Sequence, residues 1–285
     1  MSHRFPDNDD SRTGVWVGGA LMHGFLSVPR AAMRSLRQDP GQLVRLAHRY
    51  GCPLCQHAGV FLSYSNFGPP RRNAQCPHCG SLERHRLVGL CLHRLGVKPG
   101  LADRIVHFAP EPVIARFLAG HPGYTSADLQ PGAAREVQDI TRMTYPDASM
   151  ALFIANHVLE HVPDDAAAMK EIRRVLAPDG LAVLTVPLDE ERATTEEDLN
   201  VTDPAERLRR FGHTDHVRIY GCDFTERLKA AGLRVQEFRA SKREAKLYGV
   251  SPFDVVFLAR PMSVANRREA EASRPTAREP AGVGL

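Results

Sequence analysis

The stretch Leu82-Glu-Arg-His-Arg-Leu-Val-Gly-Leu-Cys-Leu-His-Arg-Leu-Gly96 places Leu82, Leu87, Leu90, Cys91 and Leu95 on one face of a helix that Gly96 can close. Beyond it, short apolar runs alternate with segments of helical spacing. Runs at 104–108, 123–127, 151–155 and 181–187 predict strands, and 111–119, 164–176 and 223–231 predict helices. Leu233–Phe238 and Asp254–Ala259 predict two closing strands. Such alternation argues for an α/β fold in which helices cover both faces of a largely parallel sheet, finished by an antiparallel pair. Residues 82–261 are read as this domain. Upstream, residues 15–50 read as a helical segment, basic over its second half. Residues 1–14 and 262–285 are polar, rich in Pro, Arg and Glu, and lack periodic apolar positions, so disorder is expected there.

Cysteine spacing adds a second unit, placed at 51–81. Cys52-Pro-Leu-Cys55 and Cys76-Pro-His-Cys79 are separated by 20 residues, the spacing of a four-thiolate zinc ribbon. Each CxxC turn aims two sulfurs at one ion, and two such turns complete a closed tetrahedron, so the expected zinc is structural. His57 and His78 lie beside these turns as alternative ligands, although four cysteines suffice. Thiols used this way point to a reducing, cytoplasmic setting and away from a disulfide framework. Arg71-Arg72 and Arg84-His85-Arg86 flank the ribbon, where they would either grip an acidic partner such as RNA or form a solvated face.

Net charge changes the picture little. An excess of 37 Lys+Arg over 33 Asp+Glu gives +4, which permits an anionic partner without requiring one. No apolar run reaches the roughly 18 residues of a membrane span, and Val15–Val28 is broken by glycines and His23. No membrane association is expected.

The segment Asn156–Pro187, NHVLEHVPDDAAAMKEIRRVLAPDGLAVLTVP, resembles the stretch from the fourth to the fifth strand of class I S-adenosylmethionine-dependent methyltransferases, of the type 11-like kind. The likeness runs over about residues 50–260 and extends to a bacterial group with a cysteine ribbon ahead of the catalytic domain. It implies a Rossmann-like seven-stranded sheet whose last strand is antiparallel, and S-adenosylmethionine as cofactor. It also implies that Asp128 binds the ribose hydroxyls, that Asp139 and Ile140 address the adenine, and that Asn156 and His157 line the cofactor and substrate cleft. Glu160 and His161, which follow, would cap or orient that loop or act directly.

The resemblance breaks at the first loop. Where the family carries an acid and three glycines, this chain reads His107-Phe-Ala-Pro-Glu-Pro112. S-adenosylmethionine carries a sulfonium cation and no phosphate, so no anion cradle is needed. His107, the small Ala109, and Glu111 facing the cofactor's ammonium end would form a remodelled loop, with Pro112 suited to the first turn of the next helix.

A second departure, Arg209–Phe224, follows an acidic, threonine-rich insertion at 189–203 and has the length of a lid. It gathers His213, Asp215, His216, Arg218 and Tyr220. His216 or His213 is expected to act as general base, with Arg218 binding an acidic group and Tyr220 beside it. The reaction implied is in-line displacement at the sulfonium methyl, with a small molecule or sugar as the expected acceptor. RNA methylation guided by the ribbon, and a non-catalytic platform whose cofactor site is lost, are the alternatives.

Overall fold

The computed structural model describes residues 49–65, 69–97 and 104–262. The expectations for residues 1–14, for nearly all of 15–50 and for the tail from 263 lie outside the described residues.

The chain opens with two small antiparallel pairs. β1 (Tyr50–Gly51) pairs with β2 (Ala58–Gly59), and β3 (Leu62–Tyr64) pairs with β4 (Arg71–Gln75). The two CxxC turns lie between β1 and β2 and just after β4. Phe61, Cys52 and Cys76 form the small core of this unit. It rests on α1 (Glu83–Arg94), where Gly89 leaves the room: a Cβ there would come within 2.6 Å of Leu54 Cδ2.

The main sheet has seven strands: β5 (Ile105–Phe108), β6 (Tyr124–Asp128), β7 (Glu136–Val137), β8 (Met150–Asn156), β9 (Leu176–Thr185), β12 (Leu233–Phe238) and β13 (Val256–Pro261). Their order across the sheet is β12-β13-β9-β8-β5-β6-β7. All pairings are parallel except those of β13, which runs antiparallel to both β9 and β12. The resemblance implied this arrangement. The closing strands are not a simple hairpin: β13 inserts between β12 and β9, and α6 (Lys242–Tyr248) bridges the two.

Period-two alternation sorts the strand residues into two cores. Val106, Phe108, Phe153, Ala155, Ala182, Leu184, Phe257 and Ala259 face α3 (Asp165–Val175) and α5 (Phe224–Ala230). Ile105, Leu152, Ile154, Leu181, Val183, Val256 and Leu258 face α1, α2 (Pro112–Leu118) and α6. Helices thus cover both faces, as the apolar strand runs predict.

Besides β7 and α6, three elements between β9 and α5 were not visible in the hydrophobic pattern. β10 (Glu196–Glu197) pairs with β11 (Arg218–Ile219), and α4 (Pro204–Phe211) lies between them. Together they form the lid. β10 is two glutamates, and α4, half of it charged, is too short at eight residues for a repeating apolar stripe. Asp203 caps α4 by accepting from the Glu206 N–H, and Pro204 follows at the first helical position. Among the described residues, no helix is long and apolar enough to cross a membrane.

Candidate active site

The carboxyl ends of β5, β6 and β8 meet at one edge of the sheet, where α/β folds bind ligands. β5 leads into the loop without glycine, and Ala109 there has φ +45°, the left-handed conformation that glycine usually supplies. Its N–H donates to the Ala127 carbonyl at 2.9 Å, which fastens the turn to β6. An alanine therefore stands in for the missing glycine, because a methyl is the smallest side chain that tolerates this φ. Glu111 is the N-cap position of α2, and Pro112 occupies the first turn.

Glu111 is mostly buried and accepts from two sides. His107 Nε2 donates to its Oε2 at 3.0 Å, and Asn156 Nδ2 donates to the same oxygen at 3.2 Å. Asn156 is fixed in turn by the Thr185 hydroxyl, which donates to its Oδ1 at 3.3 Å. His107 is fully buried, with Nδ1 at 3.4 Å from the Tyr124 hydroxyl. Burial pushes the Glu111 carboxyl up, but the His107 hydrogen bond and charge, with smaller help from His85 and Asn156, outweigh it and hold it below the ordinary glutamate value. The carboxylate form is the stable one.

The other Glu111 oxygen, Oε1, lies 3.9 Å from His85 Nε2. That nitrogen is buried and has no hydrogen-bond partner, while His85 Nδ1 accepts from the Leu82 N–H at 3.1 Å. Burial and the neighbouring Arg84 charge pull His85 down to about 4, so its ring is neutral. The sequence grouped His85 with a basic patch. Its place one helical turn after Leu82, on the face that α1 buries, was the signal for the inward position.

Asp128, the last residue of β6, accepts the Gln130 N–H through Oδ1 at 2.8 Å, and no contact engages Oδ2. Leu129, directly after it, is 66% exposed. Asp139 takes both the N–H and the hydroxyl of Thr141 on Oδ1, and these hydrogen bonds lower its carboxyl below the usual range. Ile140 is buried in the core beside Met143 and Tyr145, so its side chain is a packing group. Asp254, from the loop before β13, is also drawn toward this edge: burial raises its carboxyl, as does the Glu83 charge, while His157 opposes the shift.

His157 ends β8 with φ +52°, which turns the chain into the 3-10 turn Leu159–His161. Its Nδ1 donates to Glu160 Oε1 at 3.1 Å. The lid then brings up its own histidines. His216 Nδ1 donates to the Phe211 carbonyl at 2.9 Å, and its Nε2 lies 4.0 Å from Glu160 Oε1. His213 Nδ1 bonds Asp215 Oδ1, and His161 Nδ1 lies 3.5 Å from Asp215 Oδ2. Burial lowers the His216 imidazole against the opposing pull of the Phe211 carbonyl and Glu160.

The remaining lid residues are placed differently from expectation. Arg218 is 1% exposed and donates to the Leu159, Val162 and Pro163 carbonyls and to Glu197. Tyr220 is fully buried, and its hydroxyl donates to Asp165 Oδ2 at 2.8 Å and to the Leu159 carbonyl at 3.2 Å. Burial raises that phenol well above its usual range, and the Asp165 charge adds to this. Neither side chain has an open face for an acceptor. Both tie the lid to the turn that carries Glu160.

The four ribbon sulfurs lie within 4.8 Å of one another. Cys52 and Cys79 are 3.6 Å apart and Cys55 and Cys76 3.7 Å apart, too far for disulfides. A tetrahedral zinc with bonds of about 2.3 Å sets its sulfurs roughly 3.8 Å apart, so the cluster fits that ion. His57 and His78 stack on each other with ring centroids 6.1 Å apart and do not join the cluster. The flanking cations are largely engaged. Arg71 pairs with Glu83, and Arg86 is completely buried, donating to the carbonyls of Ala74, Ser81, Tyr248 and Gly249.

Residues 124–184, from β6 to the end of β9, match the family model described as a methyltransferase domain. Over that segment the chain is similar to methyltransferase domains. The matched segment includes Asp128, Asp139, Asn156, His157 and Glu160, but neither the HFAPEP loop nor the lid. Similar solved structures include an S-adenosylmethionine-dependent methyltransferase from Mesorhizobium loti, at 16% identity and TM-score 0.45, covering 61% of this chain and 97% of that one. Another is 1,6-didemethyltoxoflavin-N1-methyltransferase from Burkholderia thailandensis, solved with S-adenosylhomocysteine, at 19% identity and TM-score 0.42, covering 62% and 77%. A third is the YcgJ protein from Bacillus subtilis, at 14% identity and TM-score 0.44, covering 63% and 100%. None of the curated proteins matches the chain.

Proposed function

We propose that the chain transfers a methyl group from S-adenosylmethionine to a small-molecule or sugar acceptor held between the sheet edge and the lid. The observation that carries this reading is the ionised, mostly buried Glu111 at the end of β5, beside Asp128 with an oxygen to spare at the end of β6. A cofactor that is cationic at its methionine end and carries two ribose hydroxyls matches those two acids. The buried His85 Nε2, unpartnered and 3.9 Å from Glu111 Oε1, supports a polar ligand at this place. When bound, S-adenosylmethionine supplies a methyl group already activated on a sulfonium.

Every other task falls to the protein. Glu111, oriented by His107 and Asn156, would hold the amino end, Asp128 the ribose, and Asp139 with the backbone of Ile140 the adenine. His157 stands between this pocket and the lid. On the lid, Asp215 orients His213 as the third member of a nucleophile–base–acid arrangement would, so His213 is assigned as the group that takes the acceptor's proton. His216 faces Glu160, which makes it a positioning group. Arg218 and Tyr220 hold the turn and the lid together. Zinc on Cys52, Cys55, Cys76 and Cys79 would supply a closed structural crosslink and no chemistry. With Arg86 buried and Arg71 paired, the ribbon's basic flanks favour a structural role over RNA binding.

Titration calorimetry of the zinc-loaded full chain with S-adenosylhomocysteine tests the cofactor assignment. Binding is expected, and Asp128→Ala and Glu111→Gln should each weaken it about 10- to 100-fold, as loss of hydrogen bonds to a charged group does. A folded wild-type protein that binds neither S-adenosylhomocysteine nor S-adenosylmethionine would overturn the reading.

A further inference from the structure

Glu160 is a buried acid whose hydrogen-bonding capacity the surrounding protein only partly fills. Its carboxylate is fully buried, Oε1 takes one hydrogen bond from His157, and Oε2 has no partner. Among the described residues, no arginine or lysine pairs with it. Buried carboxylates persist only when a cation or a full set of donors meets them. His157 gives Glu160 a single hydrogen bond, and His216 has already given its Nδ1–H to the Phe211 carbonyl. That leaves His216 Nε2 with a lone pair aimed toward Glu160 at 4.0 Å. Two lone-pair groups thus face each other across a gap.

We infer that Glu160, His161 and His216 form a second metal site, for a divalent transition-metal ion, with Asp215 and His213 on its open side. One ligand atom from each of the three lies within 4.8 Å of the others, and His213, Asp215 and His216 form an overlapping group of the same tightness. Ring contacts hold the histidines in place, His161 and His213 lying 4.8 and 5.1 Å from His216 between centroids. Bonds of about 2.0–2.1 Å to nitrogen would draw the ligand atoms to roughly 3.3 Å of each other. His161, whose side chain is 35% exposed, has the freedom to close that distance, while Glu160 and His216 are fixed.

The donor set decides the class of ion. Two imidazoles and one carboxylate suit Zn2+, Fe2+ or Mn2+, whereas Mg2+ and Ca2+ prefer oxygen alone. The Phe211 carbonyl on His216 Nδ1 is the outer partner that metal-binding histidines typically have: it fixes the tautomer and points Nε2 at the ion. The backbone brings the ligands together from both segments. The Val217 N–H donates to the Glu160 carbonyl at 3.0 Å, and Arg218 binds the carbonyls of Leu159, Val162 and Pro163 on either side of Glu160 and His161. Three protein ligands leave a position open, which an oxygen of a bound acceptor could fill. The site does not depend on methyl transfer, since it rests on the Glu160 carboxyl group and the histidines alone.

Zinc itself is the probe. Full-length protein saturated with Zn2+ and passed through a desalting column is assayed for metal content and by X-ray absorption at the zinc edge. The expected result is one ion beyond that held by the thiolates, with nitrogen and oxygen scatterers added to the sulfur shell. Glu160→Gln and His216→Ala should each weaken the additional ion at least about 100-fold, more than loss of an outer partner costs. The sulfur shell should remain. His161→Asn, at the exposed ligand, provides the same comparison if either buried variant fails to fold. A sulfur-only spectrum with no further uptake of Zn2+ or Mn2+, or additional binding that survives all the folded variants, would overturn the site.

Discussion

Arg86 and Arg218 invite the same reading from sequence and are used in nearly the same way by the structure. Each lies in a short motif rich in Arg and His, where an anionic substrate would be sought. Each is buried to the guanidinium: Arg86 donates to four carbonyls from three segments, and Arg218 donates to three carbonyls and Glu197. The difference lies in what balances the charge. Arg86 has only carbonyl dipoles in its hydrogen-bonding shell, and burial lowers its affinity for the proton. Arg218 sits beside Glu197 at 3.0 Å and Asp165 at 3.8 Å, and Arg227 shares both acids. A planar fork of five donors can gather loop carbonyls that no secondary structure satisfies. Both arginines therefore fasten sequence-distant loops: the ribbon to α6, and the lid to the 3-10 turn.

Removing the zinc proposed for the four cysteines should separate the two regions most sharply. Chelation, or Cys76→Ser, takes away the crosslink that shapes the ribbon and with it the Ala74 and Ser81 carbonyls on Arg86. The expected loss exceeds about 5 kcal/mol for that unit, seen as loss of hydrogen-exchange protection over 50–81, with protection around Arg218 kept. Equal loss in both regions would break the contrast.

Arg86→Met comes next, at about 4 kcal/mol, because four buried carbonyls lose a charged donor. Arg218→Met should cost less, since Arg227 still pairs with Asp165 and Glu197. Denaturant unfolding of the two variants ranks them, and the reverse order would show that charge pairing outweighs carbonyl gathering here.

Acid gives the smallest separation. His85, adjacent to Arg86, is held at about 4 in the folded chain and titrates near 6.5 when unfolded. Between those values the unfolded state takes up a proton that the native state refuses, so stability falls as pH drops from about 6.5 to about 4 and then levels. The loss is on the order of 3 kcal/mol at most. His85→Asn should flatten this slope in thermal unfolding across that range, and an unchanged slope would remove His85 from the account. Glu111 adds a further loss at lower pH, because its native value lies below the unfolded one.

Much of the fold was legible because its signals are local. Period-two alternation in 104–108 and 151–155 separates the two cores before any contact is known, and the two CxxC turns announce the clustering of their sulfurs through spacing alone. The site was legible in part. Asp128 and Asn156 sit at the strand ends where the family resemblance puts them, whereas His85 was grouped with a basic patch and Ile140 proved to be core. The lid was the least readable. β10 is two glutamates and half of α4 is charged, and the two are joined by ion pairs across the intervening loop, such as Arg210 with Glu196 and Asp198.

What the sequence determined by itself, then, is whatever a hydrophobic period or a ligand spacing can encode within one segment: the alternating strands and helices, the thiolate cluster, the remodelled first loop. Only the tertiary structure decided where the charged side chains went. A buried charged side chain is set by the groups that converge on it from elsewhere, so Arg86 and Arg218 became staples, and Glu160 and its neighbouring histidines met His216 from the lid. No pattern along the chain reports that convergence.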